Sequence, residues 1–599
     1  MAKIIIYDFE VFKKNTLLGV IEIENDRETL WQTWDLQEIR DYYEQNKNAV
    51  WAGHNNMAYD DVILETIVKK GNPYLKSQQI VHTKDKPRCN LPIASFDIMQ
   101  AMGGKISLKL TELIIGKNIH TTDVDFNIDR ELTEEEKRLT EEYNADDLYQ
   151  TLYNFKMFYN NFALRVDMAK EFNVDLKLLL NATQATMAAI ILGVKKDASL
   201  ANKPIKPVLP KTLQVKNQDV IDYYLSGAFM DKDRNRRKVH ICGADFELCS
   251  GGLHYAKPKF ACEKVMYFDV SGYYNLVMIN YDCFSRAIPE SGKELYKYMY
   301  HQQLALKKTN PIKRASYKTV LLAVYGATGN EHCEFYDPWK VPYVPVLGQL
   351  FICDLLEKLE GLIDVVQINT DGIMIVPLDW NNEQQIKDIV NAWEERTGFT
   401  IKKEYAYNLW QRDVNNYVCL DNNHVLEYKG EMFKNYDISE NGYKTGGIFD
   451  SKEPSIIAKG VIDFLVYGIT PEETVEKYKS DVRNFQYACK KGTFDYLTYE
   501  VENVDFMFGY VEPTVTRLQG VDRAFAYNST EEVGMIYKYK REFNGMLKKS
   551  KVSNLPSNVF VFNENILDEK NKQEIMSKLN YDYYIGRIYE RLGEMVEQD

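Results

Sequence analysis

Residues 364–377 read DVVQINTDGIMIVP, an apolar run that leads into the polar segment NTDG at 369–372. A run rich in β-branched residues with polar residues and glycine beside it predicts a β-strand. A second run of this kind, residues 264–270 (KVMYFDV), carries Asp269 near its end. Helical patterns at about 293–308 and 313–324 lie between the two runs. The pattern predicts an α+β sheet in which Asp269 meets Asp371 across the strands.

Residues 318–326 (KTVLLAVYG) lie between the two carboxylates. Lys318 and Tyr325 are seven residues apart, which places them two helical turns apart on one face. Carboxylates that bridge two divalent ions, a cation for a triphosphate and an aromatic ring beside a nascent base pair are the parts of nucleotidyl transfer. The central third of the chain therefore favours this chemistry.

A second set of carboxylates begins at residues 3–10 (KIIIYDFE), where Asp8 and Glu10 share one face of a predicted strand. An acidic residue follows the segment NMAY at 56–59, and Tyr143 and Asp147 lie at i and i+4 of a helical stretch. Four carboxylates and a tyrosine suit two-metal hydrolysis of a phosphodiester. The residues concerned are Asp8, Glu10, Asp60, Tyr143 and Asp147, and Asp61 and Asp146 are adjacent alternatives.

Composition narrows the class of protein. A chain of 599 residues is too long for one compact core, so several domains are expected. Nine cysteines without a C-x-x-C pair indicate reduced thiols, and neither a secretory signal nor a membrane span is apparent. We expect a soluble intracellular protein. The net charge of −13 does not exclude a nucleic-acid partner, because a basic groove can coexist with an acidic outer surface.

The motifs resemble those of one family. Residues 269–275 (DVSGYYN), 318–326 and 369–372 are similar to motifs A, B and C of family B (alpha-like) DNA polymerases. The family forms are D-x-x-S-L-Y-P, K-x-x-x-N-S-x-Y-G and Y-x-D-T-D-S. The segments YDFE, HNNMAYD and YNADD resemble the DEDDy 3′→5′ exonuclease domain of such polymerases, and residues 458–475 and 523–540 resemble C-terminal segments of siphophage polymerases. The resemblance implies a proofreading bacteriophage DNA polymerase that holds two Mg²⁺ or Mn²⁺ ions at each active site.

The resemblance also assigns roles. The implied exonuclease metal ligands are Asp8, Glu10, Asp60 and Asp147, with Tyr143 orienting water. The implied polymerase metal positions are Asp269, Val270 and Asp371. For the incoming dNTP, Lys318 and Lys307 would bind the triphosphate, Tyr274 would exclude a ribose 2′-OH, and Tyr325 would lie beside the templating base. The implied contacts to the primer end are Asn56, Tyr59, Ser107 and Leu108, and those to the template strand are Ser250, Gly251 and Gly252.

Several positions depart from the family pattern. Asn369 stands where the first aspartate of motif C is usual, and a neutral amide is a weaker metal ligand than a carboxylate. Leu322 and Ala323 replace the Asn and Ser of motif B, and Gln303 falls where an arginine is common. Asn415 lies where the family has the lysine of a K-x-Y element. Two lysines could substitute for that lysine, Lys402 or Lys403.

The resemblance predicts an RNase H-like exonuclease domain followed by a right-hand palm, fingers and thumb. The predicted divisions are 1–165 exonuclease, 166–240 helical connection, 241–283 palm, 284–330 fingers, 331–450 palm and 451–599 thumb with the C-terminal region. Short connections around motif B favour extension of a nucleic-acid primer over a protein primer.

Primer-template DNA and dNTPs are the expected partners of a monomeric, cytoplasmic enzyme. Replisome proteins such as a helicase, a primase and a single-strand binding protein are further candidates. Two other interpretations stay open. In one, the chain is a DEDDy exonuclease whose polymerase half has become a DNA-binding platform. In the other, it is a non-catalytic replisome scaffold.

Overall fold

The computed structural model describes residues 3–25, 27–83, 87–104, 106–119, 121–122, 124–231, 236–434, 436, 453–503, 512–542 and 545–595. The chain divides into two compact units. The first unit comprises Met1–Ala169, Asp175–Asn181 and Met432–Arg591, and the second comprises Lys170–Val174, Ala182–Glu431 and Leu592–Asp599. Both contain helices and sheets, which confirms a multi-domain fold of mixed helices and sheets. The domain boundaries drawn from the sequence stay predictions.

The N-terminal part of the chain alternates strands and helices. Its strands are β1 (Ile4–Val11), β2 (Thr16–Glu24), β3 (Arg27–Thr33), β4 (Val50–Gly53) and β5 (Ala94–Asp97). Its helices are α1 (Leu36–Asn46), α2 (Asp60–Val68), α3 (Pro73–His82), α4 (Ile98–Ala101), α5 (Leu108–Ile115), α6 (Glu134–Met157), α7 (Tyr159–Glu171), α8 (Leu176–Leu180) and α9 (Gln184–Leu192).

The central part contains the second large sheet. Its strands are β6 (Arg237–Ile241), β7 (Ala244–Leu248), β8 (His254–Ala256), β9 (Phe260–Val270), β10 (Ile363–Asn369), β11 (Gly372–Pro377), β12 (Ile401–Asp413), β13 (Asn416–Leu420) and β14 (Leu426–Lys429). Its helices are α10 (Gln218–Leu225), α11 (Tyr273–Tyr281), α12 (Glu290–Ala305), α13 (Pro311–Thr328), α14 (Tyr343–Leu359) and α15 (Glu383–Thr397).

The C-terminal part is rich in β-structure. Its helices are α16 (Ser455–Tyr467), α17 (Pro471–Tyr478), α18 (Glu569–Lys578) and α19 (Tyr581–Met595). Its strands are β15 (Tyr487–Lys490), β16 (Tyr496–Asn503), β17 (Thr514–Arg517), β18 (Val521–Ala526), β19 (Glu532–Arg541), β20 (Leu547–Lys551) and β21 (Val559–Val561). The strand orders are β15-β18-β21 and β17-β16-β19-β20. None of the helices in the described part of the chain has the length and apolar content needed to cross a bilayer.

Strand β1 lies in the middle of its sheet, whose order is β3-β2-β1-β4-β5. It pairs antiparallel with β2 and parallel with β4. Because side chains alternate along a strand, Ile5 and Tyr7 pack with residues of α1 and α2, whereas Ile4 and Ile6 pack with residues of α5 and α6. Residue 8 continues the second series, so the acidic end of β1 faces the side of the sheet that α6 covers.

Helix α6 is well specified by its sequence. Thr133 and Glu136 form a capping box at its start, and acidic residues fill its first turn, where they favour the helix dipole. The helix buries Asn144, Asp147 and Leu148 on one stripe. The helical stretch that carries Tyr143 and Asp147 is thus part of the long helix Glu134–Met157.

The second sheet has the order β14-β13-β12-β9-β11-β10-β8 and its pairs are antiparallel. Strand β9 lies between β12 and β11. Strands β10 and β11 are joined by a tight turn at residues 370 and 371, in which Thr370 has a φ of 66°. The strand predicted over 364–377 is therefore two strands, β10 and β11, and it is β11 that lies beside β9.

Arg523 joins the C-terminal strands to α5 within the first unit. Its side chain is completely buried, and burial lowers the pKa of its guanidinium to about 9. All its N–H groups are used: they donate to Gln486 Oε1 and to the carbonyl oxygens of Leu113, Lys117, Phe562 and Glu564, at 2.9 to 3.2 Å. The guanidinium thus donates to carbonyl groups at the end of α5 and beside β21, and it joins these two segments.

Candidate active sites

The N-terminal cluster consists of Asp8, Glu10, Asp60 and Asp147. Helix α6 packs on β1 and brings Asp147 to the two acids of that strand. One carboxylate oxygen from each of Asp8, Glu10 and Asp147 lies within 4.8 Å of the others. Asp60 starts α2 and accepts a hydrogen bond from the Phe9 N–H at 3.2 Å, which holds it beside β1. The structure therefore brings the predicted exonuclease carboxylates together.

Burial raises the pKa of each acid in the N-terminal cluster, and repulsion within the cluster raises those of Asp8, Glu10 and Asp60 further. The pKa of Asp8 is raised to about 7, by burial and then by the charge of Asp147. Burial, followed by Asp8 and Asp147, raises the pKa of Glu10 well above its usual range. Burial and then Asp8 raise the pKa of Asp60 in the same direction. Buried like charges are unfavourable unless a cation neutralises them, so the cluster favours cation binding.

Tyr143 and Lys109 complete this cluster. The Tyr143 hydroxyl donates a hydrogen bond to Asp147 one helical turn away. Lys109 Nζ lies 2.6 Å from Asp147 Oδ1 and 3.3 Å from Glu112 Oε1, and 4.7 Å from the centre of the Tyr143 ring. Lys109 is a functional candidate that the sequence analysis missed, because its Glu112 pair at i+3 looks like an ordinary helix-surface pair. The contact with Asp147 is not visible in the sequence.

Asn144 orients Asp8. Its Nδ2 donates to Asp8 Oδ2 at 3.1 Å, while its Oδ1 accepts from Gln32 Nε2 at 3.0 Å. A Cβ at Gly19 of β2 would lie 1.8 Å from Asn144 Oδ1, so only glycine allows this close approach. The amide is thereby fixed in one orientation, with its donor toward the carboxylate.

The neighbouring acids are engaged elsewhere. Asp61 accepts hydrogen bonds from the Tyr7 hydroxyl, from Ser95 Oγ at 2.8 Å and from Asn56 Nδ2 at 3.3 Å. Asp146 points to the exposed side of α6. The geometry thus places Asp60 and Asp147, rather than Asp61 and Asp146, with Asp8.

The residues expected to hold a primer end have partners within the protein. Asn56 is completely buried and donates to Ser95 Oγ at 2.8 Å, and the Tyr59 hydroxyl lies 2.8 Å from Ser77 Oγ. Ser107 caps α5, because its Oγ accepts the Leu110 N–H at 3.3 Å. Leu108, the first residue of α5, is half-buried. Contacts of Asn56, Tyr59, Ser107 and Leu108 with DNA stay predictions.

The oxygen donors of the N-terminal cluster suit a hard divalent cation such as Mg²⁺ or Mn²⁺. Asp8, Glu10 and Asp147 together offer enough carboxylate oxygens for a shared ion. The buried acids lack a full complement of positive charge, since Lys109 is the cation in direct contact with the triad among the described residues. The donor set therefore fits the metal ions that the resemblance implies.

The central cluster consists of Asp269 and Asp371. In the antiparallel register of β9 and β11, Asp269 lies opposite Gly372, the residue after Asp371. The Val270 N–H donates to the Asp371 carbonyl oxygen at 2.9 Å, which ties the turn to β9. Burial and then Asp371 raise the pKa of Asp269, and burial raises that of Asp371. The two carboxylates that the sequence analysis placed across a sheet are indeed close, and they too fit a hard cation.

The amide of Asn369 is used within the protein. Its Nδ2 donates to the Val414 carbonyl oxygen at 3.1 Å, in the turn between β12 and β13. A carboxylate at this position would have no proton to donate and would repel the carbonyl oxygen. In the described residues the pair Asp269 and Asp371 has no third acidic, histidine or cysteine ligand at the spacing found in the N-terminal cluster.

Two tyrosines lie near the central cluster. The rings of Tyr274 on α11 and Tyr325 on α13 are 4.9 Å apart in an edge-to-face arrangement at 67°. Burial, then Tyr325, then Asp371 raise the pKa of Tyr274, so this hydroxyl lies within electrostatic reach of the carboxylate. The structure brings these two predicted nucleotide-site residues together.

The predicted triphosphate lysines are exposed. Lys318 lies on α13 one turn before Leu322 and two turns before Tyr325, and Leu322 is 61% exposed. Lys307 follows the end of α12, and Gln303 is buried within that helix. Neither lysine forms an ion pair with a carboxylate in the described ranges. Both cations are therefore available to an anionic ligand.

The loop 249–252 lies beside the turn that carries Asp371. Gln349 of α14 holds this loop: its Nε2 donates to the carbonyl oxygens of Cys249, at 2.7 Å, and Gly251, and its Oε1 accepts the Cys249 N–H at 3.1 Å. A Cβ at Gly252 would lie 2.3 Å from Thr370 Oγ1. Ser250 is exposed. Gln349 is a second residue that sequence reasoning missed, because a single glutamine in an apolar helix has no distinguishing pattern.

Of the two lysines that could replace the lysine of the K-x-Y element, Lys402 lies nearer the central cluster than Lys403. Lys402 pairs in register with Asp269, and its Nζ lies 2.5 Å from Glu404 Oε2. Lys403 points to the other face, where it forms an ion pair with Glu394 of α15. Asn415 lies in the β12–β13 turn.

Comparison with solved structures finds distant likenesses to this chain. The family B DNA polymerase of the hyperthermophilic archaeon Pyrobaculum calidifontis is similar to this chain, with 12% identity and a TM-score of 0.42. The alignment covers 100% of this chain and 78% of that chain. No protein-family model matches the chain, and no curated protein matches it. A likeness this distant does not assign a function, so the functional conclusion depends on the residues of the two clusters.

Proposed function

We propose that the chain is a template-directed DNA polymerase of family B with a 3′→5′ proofreading exonuclease, from a siphophage-type bacteriophage. The observation that carries the proposal is that each compact unit holds its own acidic cluster at the end of a buried strand. The strand order β3-β2-β1-β4-β5 supports an RNase H-like exonuclease domain. The sheet around β9, with α12 and α13 following it in the chain, supports a palm and fingers.

In the exonuclease, Asp8, Glu10, Asp60 and Asp147 would hold two Mg²⁺ or Mn²⁺ ions. Bound ions supply a nucleophilic water and neutralise the leaving oxygen. Asn144 keeps Asp8 oriented through its 3.1 Å hydrogen bond. The Tyr143 hydroxyl, which donates to Asp147, is placed to orient the attacking water.

In the polymerase, Asp269 and Asp371, with the backbone at Val270, would hold the metal ions. Lys318 and Lys307 would bind the triphosphate of the dNTP, because both are exposed cations without an ion-pair partner among the described residues. Tyr274 and Tyr325 pack edge to face and would lie beside the sugar and the templating base. The loop at Ser250, Gly251 and Gly252, fixed by Gln349, would follow the template strand.

A second candidate function is favoured by one observation. Asn369 donates its amide proton to Val414, so it does not offer the central cluster a third carboxylate. A DEDDy exonuclease whose polymerase half serves as a DNA-binding platform would also have such a site. We rank it second, because the tyrosine pair and the exposed lysines suit a nucleotide.

We propose that the enzyme acts as a monomer in the host cytoplasm and extends a nucleic-acid primer on a DNA template. Helicase, primase and single-strand binding protein are the candidate replisome partners.

One assay tests these functions together. A labelled primer annealed to a longer template is incubated with the protein and Mg²⁺, with and without dNTPs. Extension with dNTPs and shortening without them are the expected results. Shortening without extension would favour the exonuclease with a DNA-binding platform over the polymerase. A primer that is neither extended nor shortened would contradict both proposed functions.

A further inference from the structure

Strands β19 and β20 are neighbours at one edge of the four-stranded sheet and carry many positive charges. We call this pair of strands the β19–β20 ribbon. The antiparallel register places Lys540 directly opposite Lys548 and Lys538 opposite Ser550. Side chains directly opposite in an antiparallel pair share one face of the sheet. Three lysines therefore lie side by side on one face of the ribbon.

This arrangement is unfavourable for the isolated protein. Like charges directly opposite each other across two strands destabilise the pairing. Lys548 has Glu542 at 3.8 Å, a long ion pair, and Lys538 and Lys540 form no ion pair with any residue of the described ranges. Local features that lower stability without a compensating contact in the protein are typical of functional sites.

Protection of the sheet edge explains only part of this charge. Lysines on an edge strand discourage pairing with other chains, and β20 is the edge of the order β17-β16-β19-β20. That accounts for Lys548 and Lys551 of β20. It does not account for Lys538 and Lys540, because β19 is paired on both sides.

The ribbon also borders an open cavity of about 990 Å³. Its lining includes Phe494, one acid, Glu542, and five cations: Lys538, Lys540, Arg541, Lys548 and Lys551. Lys538 Nζ lies 4.6 Å from the centre of the Phe494 ring. The cavity therefore combines a row of cations with an aromatic ring.

The opposite face of the ribbon repeats this combination. The rings of Tyr496 and Tyr539 stack 4.6 Å apart at 12°, and the Arg517 guanidinium lies 4.9 Å from the centre of the Tyr496 ring. Lys549 Nζ lies 4.0 Å from the centre of the Tyr537 ring and forms an ion pair with Glu500 at 2.6 Å, so Arg517 is the cation of this face without such a partner in the described ranges. Cations interleaved with aromatic rings are typical of surfaces that bind single strands of nucleic acid.

We propose that the β19–β20 ribbon and its cavity bind the sugar–phosphate backbone of a nucleic acid. Phosphates neutralise the opposed Lys540 and Lys548, which relieves their repulsion, and a base packs against Phe494. An acidic peptide would satisfy the charges but would leave the aromatic ring without a matching group. The site shares no residue with either acidic cluster, and its binding requires no metal ion.

The test compares charge-reversed variants of the full-length chain. Binding of a fluorescent oligo-dT of about 30 nucleotides, and of a duplex of equal length, is measured by anisotropy in EDTA, which suppresses cleavage. We expect Lys540→Glu/Lys548→Glu to weaken oligonucleotide binding by about tenfold or more, because phosphate contacts are replaced by repulsion. For Lys540→Ala/Lys548→Ala, the salt dependence of single-strand binding should fall by about 0.7 for each lost contact.

A matched control changes the net charge equally elsewhere in the same unit. Lys76→Glu/Lys570→Glu places acids in the first turns of α3 and α18, where the helix dipole tolerates them. This variant should keep the affinity of the original chain. An equal loss of affinity in both double variants, or in neither, would overturn the proposal.

A second measurement locates the contact without relying on affinity. Ser550 lies on the face that carries the three lysines, so p-benzoylphenylalanine at this position should crosslink to the oligonucleotide under ultraviolet light. Absence of a crosslink would contradict the proposal. Equal competition by polyglutamate of matched charge would assign the ribbon to acidic peptides instead. Both results are independent of whether the chain extends or degrades a primer.

Discussion

The two acidic clusters differ in the burial of their carboxylates and in the groups that surround them. In the N-terminal cluster, Asp60 and Asp147 are only 3% and 8% exposed, and Lys109 contacts Asp147 directly. The central cluster has only two carboxylates, each partly exposed, and the neighbouring Asn369 donates its amide to a carbonyl group. Repulsion between carboxylates is strong in a buried site and is only partly offset there by a single lysine, whereas solvent screens the repulsion in an open site. The two sites should therefore respond differently to mutation, pH and metal ions.

The largest expected effect tests whether the clusters are separate sites. Asp371→Ala should lower primer extension by roughly 10³-fold, because the charge that holds metal ions at the central cluster is halved. Degradation of the primer without dNTPs should stay unchanged. Single-turnover extension and degradation of one labelled primer measure both rates.

The matching control is Asp8→Ala/Glu10→Ala, which should abolish degradation and preserve extension. Equal loss of both activities in either variant would show that the clusters do not act separately.

The second prediction concerns pH in the absence of metal. Because the pKa of Asp8 is raised to about 7, the folded protein binds more protons than the unfolded chain between the usual aspartate pKa and that value. Stability should therefore fall as pH rises through this window. We expect the melting temperature of the first unit in EDTA to fall by roughly 5 °C between about pH 5 and pH 8.

Two variants sharpen this prediction. Asp8→Asn/Glu10→Gln should flatten the dependence, since the titrating groups are gone, and Lys109→Met should steepen it by removing the resident cation. Added Mg²⁺ should also flatten it. A melting temperature that rises with pH in EDTA would contradict the raised pKa of the cluster.

The third prediction concerns Asn369. Asn369→Leu removes the donor to Val414 and should lower extension by about tenfold, the effect of one lost hydrogen bond near the site. Asn369→Asp should also lower it, since a carboxylate would face the carbonyl oxygen. If Asn369→Asp instead raised the rate of extension, the position would be a metal ligand rather than a donor.

The smallest effect is expected at Gln349. Gln349→Leu frees the loop 249–252 and should raise the KM for primer-template by about threefold while kcat stays the same, because only template positioning is lost. Steady-state extension measures both constants. A parallel fall in kcat and in melting temperature would indicate general destabilisation of the second unit.

Motif spacing predicted much of this arrangement. The alternation of KIIIYDFE placed Asp8 and Glu10 on one face, and the i, i+4 spacing placed Tyr143 with Asp147, because such relations are local. The closeness of Asp269 and Asp371 was predictable because each residue lies beside a run that is typical of a β-strand. The helices α12 and α13 agree with the helical patterns at about 293–308 and 313–324.

Other features depend on contacts between distant parts of the chain. Lys109 lies 38 positions before Asp147, and Gln349 lies 100 positions after Cys249. No local pattern indicates such pairs, because they follow from the packing of whole elements. The grouping of Met432–Arg591 with the N-terminal residues has the same origin.

The contacts of Arg523 determine which residues a separate fragment of the N-terminal region must contain. Its guanidinium reaches from the C-terminal strands to the carbonyl groups of Leu113 and Lys117. A fragment that stops before residue 432 would lose the guanidinium and the strands that pack against α5, and it would expose the apolar end of that helix. The portable module is therefore discontinuous in sequence: a graft of the first unit must carry both Met1–Ala169 and Met432–Arg591, joined by a linker in place of the central part.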